Sequence, residues 1–388
     1  MRLQLILPRV NATEIAQPSR CRYCGGGYVR LHQTVDKRLR DTVYLRVQAQ
    51  RYRCLSCGRT FRIYPQGVTR EQTSQRVKGL AVLLYLLGLS YGATALALEA
   101  LGVYVCKSRV YDTVQAVAKR VPGLRRQAVF QDIRTPVVGS DVTSVRCHGQ
   151  WLPLGLAIDD ISGLVLSVDC LAGEDAETLK AWLEPIVTAV GAQIMVSDDA
   201  DSYKRVADEL GLRHQVCKSH VERNTDALIE SLAPAAARDE DGSLAAIEVS
   251  AQQAVADLDR LTQLMRTRQR AAGCELGTVH QRYVRAAPPR EGERATLAYR
   301  LRSLFLDRWN LWPRLTLYRT WEGPDGQTID GTNNGSERAI GWWVKERYRT
   351  MRGYKRVESA LNVSRLLIWS GNSLGKGGAD LGLLFGQG

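Results

Sequence analysis

The order in which apolar periodicity changes between Pro136 and Cys217 restricts this chain more than any other feature. Apolar runs at residues 136–146, 151–158 and 164–171 read as three consecutive strands. The turns between them fall at His148-Gly149 and at Asp159-Asp160-Ile161-Ser162-Gly163. Turns that short join antiparallel neighbours, so the three strands form a meander. Residues 175–190 then carry apolar side chains at helical spacing, 193–197 is a short buried strand, 202–210 is again helical and 213–217 is a fifth strand.

Three strands, helix, strand, helix, strand is the element order of a ribonuclease H-like fold, in which the first and fourth strands are neighbours. That order gives meaning to two acidic residues. Asp141 lies inside the apolar run Pro136-Val-Val-Gly-Ser-Asp-Val-Thr-Ser-Val145, and Asp198 ends Gln193-Ile-Met-Val-Ser-Asp198. On adjacent strands they can face each other across the sheet. Glu337, in Thr332-Asn-Asn-Gly-Ser-Glu-Arg-Ala-Ile340, opens a helix much later in the chain. Carboxylates brought together from strands and a helix are how a sheet-based nuclease holds divalent metals.

At 388 residues the chain is long enough for two to four modules. Its net charge of +13 and pI near 9.4 favour a polyanionic partner. The first 70 residues hold 14 basic residues, 13 of them Arg, against Glu14, Asp36 and Asp41, so nearly all the excess sits there. A solvated basic face would serve as well with Lys; Arg is the better ligand for phosphates and base edges.

The nine cysteines divide into two groups. Cys21-Arg-Tyr-Cys24 and Cys54-Leu-Ser-Cys57 are two C-x-x-C pairs 29 residues apart, each followed by Gly, with a strand-like stretch between them. This spacing reads as a four-cysteine zinc ribbon holding one structural Zn²⁺. A disulfide reading would need an oxidising compartment, which nothing else in the sequence supports. Cys106, Cys147, Cys170 and Cys274 have no such pairing and fit ordinary thiols.

Three helices follow the ribbon, at 71–87, 93–101 and 108–120, with turns at 88–92 and 102–107. The layout is that of a helix-turn-helix, with Ser108 as N-cap of the recognition helix and Lys107 and Arg109 first to meet a groove or its phosphates. A helical linker packed on the core is the plainer reading of the same segments. Residues 79–105 carry a single charge, Glu99, and a hydropathy window flags them as a membrane span, but Gly88, Gly92 and Gly102 break them into helical pieces. The apolar stretch at residues 1–8 is too short for a secretory signal. A cytoplasmic chain associated with DNA is expected.

Between Asp198 and Glu337 stand 138 residues, helical in period over 244–272 and 294–320. This predicts an all-helical insertion. Asn333 or Asn334 is expected to cap the helix that carries Glu337 in its first turn, where the helix dipole favours a carboxylate. Lys345, Arg347, Arg349, Arg352 and Lys355 follow, so one long helix would hold a metal at one end and a phosphate backbone along its length. Asn334, Lys345 and Arg349 are the expected DNA contacts here.

Taken together these residues resemble the DDE transposases of prokaryotic insertion sequences, particularly those with a Mutator-like layout, over nearly the whole chain. The carriers are Val196-Ser-Asp198 with Ser202-Tyr-Lys204, Cys217-Lys-Ser-His220 as a C-x-x-H motif, and Thr332-Asn-Asn-Gly-Ser-Glu337 with Gly353-Tyr-Lys355 behind it. The resemblance implies that Asp141, Asp198 and Glu337 bind two Mg²⁺ (or Mn²⁺) ions, and that Cys217 and His220 have a structural or DNA-contacting role beside them. It also implies an enzyme that binds the terminal inverted repeats of its element, cleaves the ends and joins them to target DNA as a dimer or higher oligomer. The domain plan is then a basic zinc ribbon at 1–68, a helix-turn-helix domain at 69–130, the ribonuclease H-like core at 131–220 and 331–372, the helical insertion at 221–330 and a flexible Gly-rich tail at 373–388.

Singly, each residue has a plainer role. Asp141 fits the exposed face of a half-buried strand, Asp198 a turn or helix cap, with Asp199 and Asp201 crowding it as rival ligands. Asp159 and Asp160 are turn residues, Cys217 a packed thiol and His220 a hydrogen-bonded ring. Trp342 and Trp343 fit core packing as well as base stacking. Two other functions remain on these residues: a DNA-binding regulator or inactive remnant, and a ribonuclease H-like nuclease that cuts without strand transfer.

Overall fold

The computed structural model describes residues 5–128, 133–267, 272–346, 348, 353–374 and 379–385. The chain falls into two compact units. One comprises Met1–Ile133, Ser144–Leu152 and Ile340–Gly388, the other Arg134–Thr143 and Pro153–Ala339.

In the first unit, strand β1 (Leu5–Ile6) pairs in parallel with the late strand Ala379–Asp380. An antiparallel sheet follows, of β2 (Val29–Arg38), β3 (Arg46–Cys54) and β4 (Thr60–Ile63) in that order. On β3 the buried residues are Val47 and Ala49, then Tyr52 and Cys54, the alternation of a half-buried strand with one phase shift, which falls beside the register shift between Leu31 and Gln33 of β2. Helices α1 (Gln75–Leu86), α2 (Tyr91–Ala100) and α3 (Lys107–Ala128) come next. Ser74 and Ser90 cap the first two by accepting from Val77 N and Ala93 N, a bond worth about 1 kcal/mol each. Ser108 does not cap α3: the helix starts one residue earlier, and the Cys106 carbonyl accepts its first bond, from Val110 N. The break at Gly88, whose φ is +108°, separates the apolar stretch into α1 and α2. No helix among the described residues is long and apolar enough to cross a membrane.

The second unit is built on a five-stranded sheet. Strands β5 (Val137–Cys147), β6 (Gln150–Asp159) and β7 (Val165–Cys170) lead to α4 (Ala176–Val190), β8 (Ile194–Ser197), α5 (Asp201–Glu209) and β9 (Arg213–Val216). The spatial order is β7-β6-β5-β8-β9, with β6 antiparallel to β7, and β5, β8 and β9 parallel in sequence. This α/β arrangement, with first and fourth strands adjacent, is that of a ribonuclease H-like core. The sequence placed Cys217 in the last strand; it is instead the residue that starts the next helix.

From there the described residues up to Leu315 are helical: α6 (Lys218–Ala236), α7 (Ser243–Ala246), α8 (Ala251–Arg266), α9 (Ala272–Tyr283) and α10 (Leu297–Leu315). They share a core that includes Leu232, Leu261, Leu276, Leu301 and Phe305. The single periodic stretch expected at 244–272 is divided, because Glu248, with φ +63°, turns the chain between α7 and α8. A short helix α11 (Asn334–Ala339) carries Glu337. It does not continue as the long basic helix expected: Ile340–Lys345 is π-helical, and the next long helix, α12, is Val357–Leu374 in the first unit. Arg347, Arg349, Arg352 and parts of the Gly-rich tail lie outside the described residues.

Candidate active site and metal centres

On β5, successive side chains leave opposite faces of the sheet. Ser140 Oγ lies 3.2 Å from the hydroxyl of Tyr203 on α5. Gly139 faces the other way, where an added Cβ would stand 2.9 Å from Ser336 Oγ of α11 and 3.1 Å from Asp160 Oδ1. Asp141 therefore projects on the α11 side. The β5–β8 register pairs Gly139 with Val196. Continued by two residues, it sets Asp141, in the middle of β5, beside Asp198, the residue that follows the end of the adjacent parallel β8. Burial holds the Tyr203 hydroxyl far above its ordinary pKa, and the charges of Asp141, Asp198 and Glu174 push the same way.

The Asp198 backbone is held by a relay that the sequence did not reveal. Arg314 on α10 donates to His214 Nδ1 at 3.1 Å and forks onto both oxygens of Asp208 at 2.7 Å. A guanidinium only donates, so Nδ1 is the acceptor and the ring proton sits on Nε2, 2.8 Å from Ser197 Oγ. Ser197 in turn donates to the carbonyl of Asp198 at 3.0 Å. Burial, with the Arg314 and Lys204 charges, pushes the His214 pKa down to about 3, so the ring is neutral. The neighbouring Asp199 is bound to Lys204 at 2.9 Å, which leaves Asp198 as the carboxylate on the shared face.

Glu337 is anchored from two sides. Asn333 is fully buried; its backbone carbonyl accepts from Glu337 N at 3.1 Å, and its side-chain amide donates to the Ser140 carbonyl at 3.4 Å. Asn333 therefore starts α11 through its backbone, while its side chain ties the helix to β5 one residue before Asp141. Lys218 N donates to the Gly331 carbonyl at 2.7 Å, binding the start of α6 to the same loop. As a result the C-x-x-H motif meets Glu337: His220 Nδ1 is 3.6 Å from Glu337 Oε1, and Cys217 Sγ, His220 and Glu337 all offer ligand atoms within 4.8 Å of one another.

Asp141, Asp198 and Glu337 do not form such a set. Asp141 Oδ1 accepts from Val142 N at 2.8 Å and Asp198 Oδ1 from Ala200 N at 3.2 Å, while Glu337 leans toward His220. Three carboxylates repel one another unless cations lie among them. Their chemistry fits magnesium: hard oxygen donors on one strand, at the end of its neighbour and on one anchored helix.

Below this site, a cavity of about 380 Å³ is lined by Asp160, Gln327, Asp330, Thr332, Gly335 and Arg338 among others. Asp159 is the turn residue expected, accepting from Thr135 Oγ1 at 2.6 Å and Ile161 N at 3.1 Å. Asp160 is more than that. Burial first, then the carboxylates of Asp330 and Asp159, lifts it to about 6, against the opposing Arg338.

In the first unit the four ribbon cysteines converge. Cys21 Sγ lies 3.8 Å from Cys57 Sγ, and Cys24 Sγ 3.6 Å from Cys54 Sγ. Tetrahedral zinc, with Zn–S near ~2.3 Å, separates sulfurs by about 3.8 Å. The two knuckles repeat one pattern: Gly25 N donates to Cys21 O and Gly58 N to Cys54 O, both glycines at φ near +70° (+72° and +71°). Amides of Cys57 and Ser56 draw the Cys54 thiol down to about 6 against burial. Burial raises Cys21, but amides of Tyr23 and Cys24 outweigh it and leave it lowered. Four sulfurs converging at tetrahedral spacing fit a structural zinc ion. Lys107 and Arg109 are exposed at the start of α3, and Asn334 and Lys345 are exposed as well.

No family profile and no curated protein matches the chain. Among solved structures it is similar to the catalytic core domain of HTLV-2 integrase in complex with magnesium, in a dimeric form, at 23% identity over 26% of this chain and 72% of that one, with a TM-score of 0.19. The trimeric form of the same core matches at 16% identity over 51% and 95%, and the BIV integrase core at 12% over 50% and 90%, each with a TM-score of 0.19. The ribonuclease H-like assignment rests on strand order and register, not on these overlaps.

Proposed function

We propose that this protein is a DDE transposase of a prokaryotic insertion sequence with a Mutator-like layout, whose catalytic residues are Asp141, Asp198 and Glu337. The observation that carries the reading is the register that sets Asp141 beside Asp198 on one sheet face, with Asn333 tying the Glu337 helix to the same strand. Two Mg²⁺ ions, when bound, would supply Lewis-acid activation of water at the element end and stabilisation of the leaving oxygen. The protein's part is to hold three carboxylates on rigid supports. The Arg314–His214–Ser197 relay steadies the Asp198 end, and the Asn333 and Lys218 bonds steady Glu337.

End recognition is assigned to the zinc ribbon and to a helix-turn-helix formed by α2 and α3. On the ribbon, Arg30 stands opposite Arg53, whereas Arg46, opposite Arg38, is paired with Asp36 at 2.5 Å. Like charges facing each other across a sheet destabilise it, unless a polyanion lies along them. Lys107 and Arg109 would lead α3 into a groove, and Asn334, Lys345 and Arg349 would be further DNA contacts. The run α6 to α10 is the helical insertion between the second and third catalytic residues. Joining two element ends to one target requires at least a dimer, working in the prokaryotic cytoplasm at the nucleoid.

The test is a cleavage and strand-transfer assay on DNA carrying the element's own ends with Mg²⁺ or Mn²⁺, comparing wild type with Asp141→Ala, Asp198→Ala and Glu337→Ala. Joined products from the wild type, lost in all three variants while DNA binding persists, support the reading. Cutting without joining points to a nuclease, and binding without cutting to a regulator or inactive remnant.

A further inference from the structure

We propose that Cys217, His220 and Glu337 form a second transition-metal site, one that takes zinc and shares Glu337 with the catalytic trio. The regulatory consequence rests on the proposed function; the binding itself does not.

The site is assembled by backbone. Cys217 N donates to the Ser197 carbonyl at 2.8 Å, which fixes the start of α6 against the end of β8. His220 follows three residues later, so its ring rises on the same side of the helix as Cys217. The Lys218–Gly331 bond holds the loop that leads into α11, and Glu337 completes the set. The Cys217 thiol is buried, at 1% exposure. His220 Nδ1 is shielded from solvent and has no hydrogen-bond partner, with the Glu337 carboxylate 3.6 Å away. A shielded ring nitrogen with nothing to bond is costly unless something accepts its lone pair or its proton.

The three donors lie within 4.8 Å of one another, and donors around one tetrahedral zinc ion stand about 3.3 to 3.8 Å apart. A rotamer change of the half-exposed Glu337 closes that difference. Thiolate and imidazole select zinc or cobalt over magnesium, and three protein ligands leave one position open. Binding releases the Cys217 proton to solvent and keeps the zinc in its divalent state, so no oxidant is needed. A zinc ion here commits Glu337 to Cys217 and His220 and withdraws it from Asp141 and Asp198. Zinc would then oppose magnesium at the catalytic site through competition for one carboxylate.

The experiment counts zinc in the full chain after equilibration and removal of free ion, without DNA, and repeats the measurement with Co²⁺ to read sulfur-to-cobalt charge transfer. Two ions per wild-type chain are expected, one in the ribbon and one here. Cys217→Ser and His220→Ala should each carry one, and the exposed Glu337→Gln should bind the second at least about tenfold more weakly. A single ion in the wild type, or two ions undiminished in folded Glu337→Gln and His220→Ala, overturns the proposal. Because the count requires no cutting, a second ion in a protein that never cleaves DNA would sink the transposase reading and leave this one standing. DNA cleavage with a single ion would do the reverse.

Discussion

The Nε2 of His214 on β9 lies 2.8 Å from Ser197 Oγ at the end of β8, and because Arg314 of α10 donates to the same ring's Nδ1, the imidazole links that helix to the residue before Asp198. Replacing His214 with Ala should cost about 1 to 3 kcal/mol, because Ser197 and Arg314 both lose a buried partner. The neutral ring also predicts a pH effect. Its pKa is depressed to about 3 in the folded state and sits near ~6.5 when unfolded, so its stabilisation is complete above ~6.5 and is lost as pH falls toward 3. Urea midpoints between pH 7.5 and 4 should fall more steeply for wild type than for His214→Ala, by up to about 1.4 kcal/mol per pH unit. Parallel slopes would rule this out.

Asp198 and its neighbour should separate sharply in catalysis. Asp141→Asn, Asp198→Asn and Glu337→Gln are each expected to slow end cleavage at least about a hundredfold, or ~3 kcal/mol of barrier. Asp199→Asn, whose native partner is Lys204, should cost less than about tenfold. Single-turnover cleavage rates at saturating Mg²⁺ make the comparison, and a larger loss for Asp199→Asn than for Asp198→Asn would reassign the ligand.

Ribbon zinc should be lost on acidification. Zinc binds thiolates, so protons compete with the metal for all four sulfurs, and that competition strengthens as pH falls. Zinc release into a chromophoric chelator should accelerate as pH drops from 7 through 6. Cys54→Ser should weaken DNA binding while the far-ultraviolet signal of the α/β unit persists.

Asp160 works in the opposite sense to a salt-bridged carboxylate. Its pKa is raised to about 6 from an ordinary 3.8, so folding favours the protonated form, and the cost to the native state grows as pH rises above 3.8 and is complete above about 6. Below ~3.9 that cost is absent. Asp160→Asn should therefore stabilise the protein at pH 8, by about 1 to 3 kcal/mol, and do little at pH 4. Equal gains at both pH values would show that charge is not the cause.

The facing arginines predict a salt signature. Removing Arg30 and Arg53 together should lower the slope of log affinity against log salt by about 2, since each phosphate contact contributes ~0.9. An unchanged slope would place the DNA elsewhere.

Much of the architecture was legible before any coordinates. The five sheet strands and two helices between Val137 and Val216 fall within one or two residues of the expected bounds, because alternation and helical period are local and repeat over many residues. The cysteine spacing likewise foretold four converging sulfurs. Where local signals failed, a local rule was overridden. Ser108 had the right chemistry for a cap, yet the helix starts at Lys107, and the basic run after Glu337 did not make one helix because the chain turns π-helical at Ile340.

What tertiary structure alone decided is which distant groups meet. Residue types and spacing determined the strand order, the ribbon cysteines and the three acidic candidates. They carried no signal for Arg314 reaching back 100 residues to His214, for Asn333 binding Ser140 across 193, or for His220 meeting Glu337. Those contacts arise from the packing of helices and loops against the sheet, where burial favours pairing of polar groups, and a partner's position in sequence is irrelevant to that preference.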